Sequence, residues 1–261
     1  MLSYPHRAIA ASPSLHRPIT GRGTPVEKRT LRTVALTRRY EISWLDQSGT
    51  VETATKLAPA TPEFEEAFSA LARGTVIATA EGPVAIEDLA PGARVVTAEG
   101  RTETVVWIGS MTLYPPRAVP EKAPVAMTRI TADALGLNRP MPDLVLGPRA
   151  RILFRDPRCR MATGLDAAYA PAAALIDGEC VIAVTPGAPD AVYHLVLSGH
   201  GSVRAAGIEI ESYHPGAGFT EVIDLQLQGL FLSLFPQAKT FADFGPVAHP
   251  RLSADEFAAL L

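Results

Sequence analysis

A chain of 261 residues, 47% of them hydrophobic, is long enough to bury one core and carry a few appended elements. Its net charge of −3, with charged residues at 20%, separates it from strongly basic nucleic-acid binders and from polybasic membrane-surface proteins. No stretch approaches the roughly 20 apolar residues that span a bilayer, and Met1–Pro25 scatters prolines and arginines where a signal peptide has a continuous apolar core. The expected compartment is therefore the cytoplasm.

The 20 glycines and 23 prolines are spread through the chain, as expected of many short strands joined by tight turns. Cys159 and Cys180 are too far apart for a CxxC pair, and two thiols are too few for a disulfide scaffold. A single bridge is one option; two free thiols in a reducing compartment is the expectation adopted.

Residues 1–30 read as a disordered arm, broken by Ser12-Pro13, Arg17-Pro18 and Gly21-Arg22-Gly23. Arg7, Arg17, Arg22, Lys28, Arg29, Arg32, Arg38 and Arg39 stand against Glu27 alone up to residue 40, a basic run expected to be a solvated tail. Residues 31–72 predict a β-hairpin and a helix. Tyr40, Ile42 and Trp44 alternate with Glu41 and Ser43, Asp46-Gln47-Ser48-Gly49 makes the turn, and Thr50–Leu57 returns. Thr61 and Pro62 mark a helix start, with Glu63, Glu65 and Glu66 at its positive end and Phe64, Phe68 and Leu71 on one face. That pattern carries the helix to Arg73-Gly74.

Between Thr75 and Gly216 the sequence predicts strands over 75–79, 94–98, 103–108, 126–130, 143–146, 151–154, 180–184, 192–197 and 207–211. Two intervening stretches, 131–137 and 168–175, read as helical. Residues 218–261 form a helical C-terminal extension. Its last element opens with a capping box, Ser253 as N-cap and Glu256 three residues on, and Leu252 and Phe257 are placed as a hydrophobic staple.

Three segments in order carry a family likeness over residues 70–217, the domain itself being expected over 73–217. Gly82 to Val95, with Ile86, Glu87, Leu89 and Gly92, resembles G-x-x-x-I-E-x-L-x-x-G-D-x-V, and Trp107-Ile108-Gly109 the W-I-G that follows. Leu144 to Leu153 is similar to L-x-x-S-P-x-H-R-L-L, and Tyr193–His200 with Gly207–Tyr213 to Y-x-H-L-x-x-x-x-H…G-x-x-x-E-S-F. These are the marks of bacterial Hint (hedgehog/intein) domains, the fold of protein-splicing and autoprocessing modules. The resemblance implies a mainly β, Hint-like fold of many short strands.

In that family a Cys or Ser opens the domain and attacks the preceding carbonyl, and a histidine of the middle segment protonates the leaving amine. Here the nucleophile position falls on Ala70, the helper histidine on Ala150, the serine of the middle segment on Gly147, and the aspartate after Pro91-Gly92 on Ala93. Alanine can neither attack nor carry a proton. The expectation is a catalytically silent structural or binding module, more a pseudoenzyme than an enzyme.

The alternative is residual self-cleavage through Ser69, one residue earlier. The expected helix opposes it, since the Ser69 N–H should there be bonded to the Glu65 carbonyl. His194 and His200 are the other candidate catalytic groups, as a proton relay or metal pair; the plainer reading makes them a buried strand residue and a turn residue. No cofactor or metal is expected. A protein partner is left open, and nucleic acid and membrane are not expected partners.

Overall fold

The computed structural model describes residues 36–115 and 126–260; the basic arm expected over residues 1–30 lies outside the described residues. Strand β1 (Thr37–Leu45) buries Tyr40 and Ile42 and exposes Arg39 and Glu41, the alternation that a half-buried strand requires. The Asp46 carboxylate accepts the Ser48 and Thr50 N–H groups at 2.8 Å each, and Gly49 supplies the positive φ. Strand β2 (Val51–Pro59) returns antiparallel, in unbroken register from Leu45↔Val51 to Thr37↔Pro59.

Helix α1 is one turn, Pro62–Glu65, followed by a 3-10 turn over Glu66–Phe68. The expected helix to Gly74 is therefore too long. Phe64, Phe68 and Leu71 are all buried, but Leu71 belongs to β3 (Leu71–Ala72), because the Ala70 N–H has left the helix for the carbonyl of Tyr193 at 3.0 Å.

The remaining strands are β4 (Val76–Thr79), β5 (Gly82–Ala85), β6 (Arg94–Val96), β7 (Thr102–Leu113), β8 (Met127–Ile130), β9 (Leu144–Leu146), β10 (Arg151–Arg155), β11 (Ala167–Pro171), β12 (Val181–Val184), β13 (Asp190–Leu197), β14 (Ser202–Ala205) and β15 (Ile208–Glu211). With β1, β2 and β3 they form a 15-stranded antiparallel sheet whose main path runs β11-β10-β15-β14-β4-β6-β7-β13-β3-β9-β8-β12. Strand β7 is long enough to pair with β6 at one end and with β1 and β13 at the other. The mainly β expectation holds, and all nine predicted central strands are present. The two stretches expected to be helical are not. Residues 131–137 are turns, and 168–175 is half β11 and half a single 3-10 turn, Ala172–Leu175.

Past Tyr213 the chain is helical in short pieces. After α2 (Cys159–Thr163), which lies within the sheet region, come α3 (Phe219–Val222), α4 (Leu225–Leu232) and α5 (Ala254–Ala258). Phe231, Leu234 and Phe235 are fully buried against Phe64, Phe68, Trp107 and Tyr213. The Trp107 indole N–H donates to the Leu234 carbonyl at 2.8 Å. Helix α5 carries the expected capping box, and Leu252 and Phe257 are both buried beneath it. Both cysteines are free thiols, Cys159 buried and Cys180 exposed. No helix among the described residues is long and apolar enough to cross a membrane.

Candidate functional site

The peptide joining Ser69 to Ala70 lies where the chain passes from the first helical turn into the sheet. Its N–H, from Ala70, donates to the Tyr193 carbonyl at 3.0 Å, and its C=O, from Ser69, accepts the Arg149 N–H at 3.0 Å. The next carbonyl, of Ala70, accepts the Gly147 N–H at 2.8 Å. The loop between β9 and β10 and the strand β13 thus hold this bond from two sides. Ser69 and Ala70 are both fully buried.

Ser69 is not helical. It follows the 3-10 turn at φ −132°, ψ 41°, and its hydroxyl, not its N–H, reaches the Glu65 carbonyl, at 2.7 Å. The expected N–H bond is corrected for a simple reason: the helix ends a residue earlier, and the side chain replaces the backbone in satisfying its last carbonyl. The hydroxyl proton is thus held by a backbone carbonyl and not by a general base.

Across from this bond stands Gly147. A Cβ on Gly147 would lie 2.2 Å from the Ser69 oxygen and 2.6 Å from the Ser69 carbon, so the peptide fills the space that any side chain at 147 needs. Ala150 is buried, its N–H turned back to the Gly147 carbonyl at 3.2 Å. One backbone N–H polarises the Ser69 carbonyl, but the matched nucleophile and proton-carrier positions present only methyl groups.

The ionisable groups gather elsewhere, around Glu211 at the end of β15. Its carboxylate is buried and receives the Arg251 Nε–H at 2.8 Å, while His200 Nε2 lies 3.4 Å away. Burial alone would raise this carboxyl. The hydrogen bond from His200 and the guanidinium groups of Arg251 and Arg151 outweigh burial and hold it below the ordinary carboxylate value. His200 accepts the Ala248 N–H on Nδ1 at 2.9 Å, which places its proton on Nε2, between Glu211 and the Ser212 carbonyl at 3.1 Å. Arg251 also donates to the His214 carbonyl at 2.6 Å, and Arg151 pairs with Glu66.

His194 stands edge-on to Tyr213, ring centres 5.3 Å apart, and its Nδ1 accepts the Leu195 N–H at 3.1 Å. Burial, helped by Arg251 and Arg151, pushes its imidazole down to about 3 against the pull of Glu211, so the ring is neutral. His194 and His200 share no hydrogen-bond partner, and no group of three or more side chains suited to holding a metal occurs among the described residues.

Sequence reasoning met Glu211 only inside the closing E-S-F likeness, placed Glu66 only at the positive end of the first helix, and did not single out Arg251, Arg151 or His214. Glu211 and Arg251 are 40 residues apart in the chain, so no local spacing ties them. The one available signal was the run Glu211-Ser212-Tyr213-His214, four residues with polar side chains in succession after the alternating Ile208-Glu209-Ile210.

No curated protein matches the chain. Solved structures of intein-like proteins resemble it. A bacterial intein-like domain from Clostridium thermocellum has a TM-score of 0.39 and 15% identity, covering 56% of this chain and 99% of that one. The MchDnaB-1 intein has a TM-score of 0.36 and 16% identity, covering 55% and 99%. The Hint domain family matches residues 69–217, a span that begins at the buried Ser69–Ala70 peptide and closes just past the Glu211 cluster. By that match, over more than half its length, the chain belongs to the Hint domain family.

Proposed function

We propose that this protein is a catalytically silent Hint domain, retained as a structural or binding module and not as a self-cleaving one. The observation that carries the proposal is the state of the Ser69–Ala70 peptide: both its groups are hydrogen-bonded to backbone, and the positions matching the family's nucleophile and helper histidine are Ala70 and Ala150. An N-to-O or N-to-S acyl shift needs an attacking heteroatom beside the carbonyl and an acid for the amine. Ser69, the alternative nucleophile, is fully buried with its hydroxyl donated to Glu65. With chemistry absent, the parts that remain are a rigid sheet and the polar lattice around Glu211.

The test is stepwise restoration, read by intact mass. Ala70→Cys alone is expected to leave one chain, because no proton carrier stands at position 150; adding Ala150→His is expected to give at most a trace of cleavage. Efficient release of fragments by Ala70→Cys alone would overturn the proposal. The domain would then be a working one that lacks a single atom.

A further inference from the structure

We infer that β2 is the contact strand of a two-fold symmetric homodimer. Among the described residues β2 pairs with β1 alone, so its outer edge is open along Val51–Pro59. The ladder fixes which residues face that edge. Asp46 N–H bonds to Thr50 O, and at the other end Ala60 N–H bonds to Leu36 O, in one unbroken register. Even-numbered residues of β2 therefore spend their N–H and C=O on β1, while Val51, Thr53, Thr55 and Leu57 aim theirs outward.

An antiparallel second copy centred on Ala54 uses all of those groups. It pairs Val51 with Leu57, Thr53 with Thr55, and the same in reverse, each pair exchanging two N–H···O bonds. Val51 and Leu57 are 44% and 69% exposed, and this pairing covers each with the other. Between them Glu52 meets Lys56 of the second copy as a close, non-hydrogen-bonded pair, and neither residue has an ion-pair partner among the described residues.

Every neighbouring register loses this match. Moving the centre one residue either way sets Glu52 against Ala54 or Ala58. Moving it two sets Glu52 against Glu52 or Lys56 against Lys56. A lysine on an edge strand ordinarily discourages pairing; here it permits one partner in one register. Because the other edge of β2 is taken by β1, the assembly closes as a dimer and does not propagate.

Sedimentation velocity of the full chain over a range of concentrations tests the inference. The expected result is a shift from the 27.7 kDa chain toward twice that mass. Thr55→Pro removes only an outward N–H and should leave a folded monomer. Lys56→Glu and Glu52→Lys, each alone, should be monomers of native circular dichroism, while their equimolar mixture restores the dimer. A wild type that stays monomeric at every concentration overturns the inference. So does a dimer indifferent to Thr55→Pro and to the charge exchange, which would lie on another surface.

Discussion

Gly147→Ala asks for one methyl group where the structure leaves none. The added carbon would sit 2.2 Å from the Ser69 oxygen and 2.6 Å from the Ser69 carbon, against a normal C···O approach of about 3.3 Å. The atoms in the way are backbone, bonded to Arg149 N–H at 3.0 Å, and cannot swing aside as a side-chain end would. Overpacking of this kind costs roughly 1–3 kcal/mol, occasionally more. Gly147 is not among the glycines at positive φ, so alanine suits its backbone and recovers about 0.4–1 kcal/mol through a less flexible unfolded chain. The balance is a loss of about 1–2 kcal/mol, which lowers Tm by roughly 2–4 °C per kcal/mol in a chain of this size. Thermal and urea unfolding read the loss, and amide exchange at residues 147 and 149 should quicken with it. An unchanged or raised Tm would refute the reasoning, because it would mean that the Ser69 peptide is free to move. Gly147→Ser should behave like the alanine variant.

Three further outcomes follow from the buried polar groups. Arg251→Met leaves the Glu211 carboxylate buried without its guanidinium, and equilibrium unfolding should show a loss of about 3 kcal/mol, the low end for a broken buried pair because His200 and Arg151 remain. Trp107→Phe strands the Leu234 carbonyl and should cost about 1–3 kcal/mol in the same assay, with near-ultraviolet dichroism of the aromatic cluster reduced. For pH, the His194 imidazole is held near 3 in the folded chain against 6.5 unfolded. Between those values the unfolded chain binds the extra proton, so stability falls as pH drops below 6.5. Glu211, held low when folded, adds to the same acid loss as it is protonated, and His194→Gln should flatten the slope nearer pH 6; a slope unaltered by that change would remove His194 from the account.

The strands were legible because alternation and turn residues are local. Tyr40 and Ile42 against Glu41, or Ile208 and Ile210 against Glu209, state their own conformation. The error at Leu71 arose because burial has more than one cause. Phe64, Phe68 and Leu71 fit a 3.6-residue period, yet Leu71 is buried by strands β9 and β13, which lie 75 and more residues downstream in the chain. β14 was missed because Ser202, Val203, Arg204 and Ala205 carry little β signal of their own; β15 pairs with them along their length. Ala70, Gly147 and Ala150 were located by resemblance alone. That Gly147 closes on the Ser69–Ala70 peptide needed the structure, as did the Glu211 lattice, whose members Glu66, Arg151, His200, Glu211, His214 and Arg251 are scattered along the chain.

The central claim concerns one covalent bond, and intact mass spectrometry of the purified, unmodified protein tests it most directly. Held for days at neutral pH, with and without hydroxylamine or added thiol, the chain should remain a single species of 27.7 kDa. Those nucleophiles would intercept any ester formed by a slow acyl shift, so silence in their presence speaks to the first step as well as the second. Appearance of a fragment beginning at Ser69 or Ala70, suppressed by Ser69→Ala, would contradict the account.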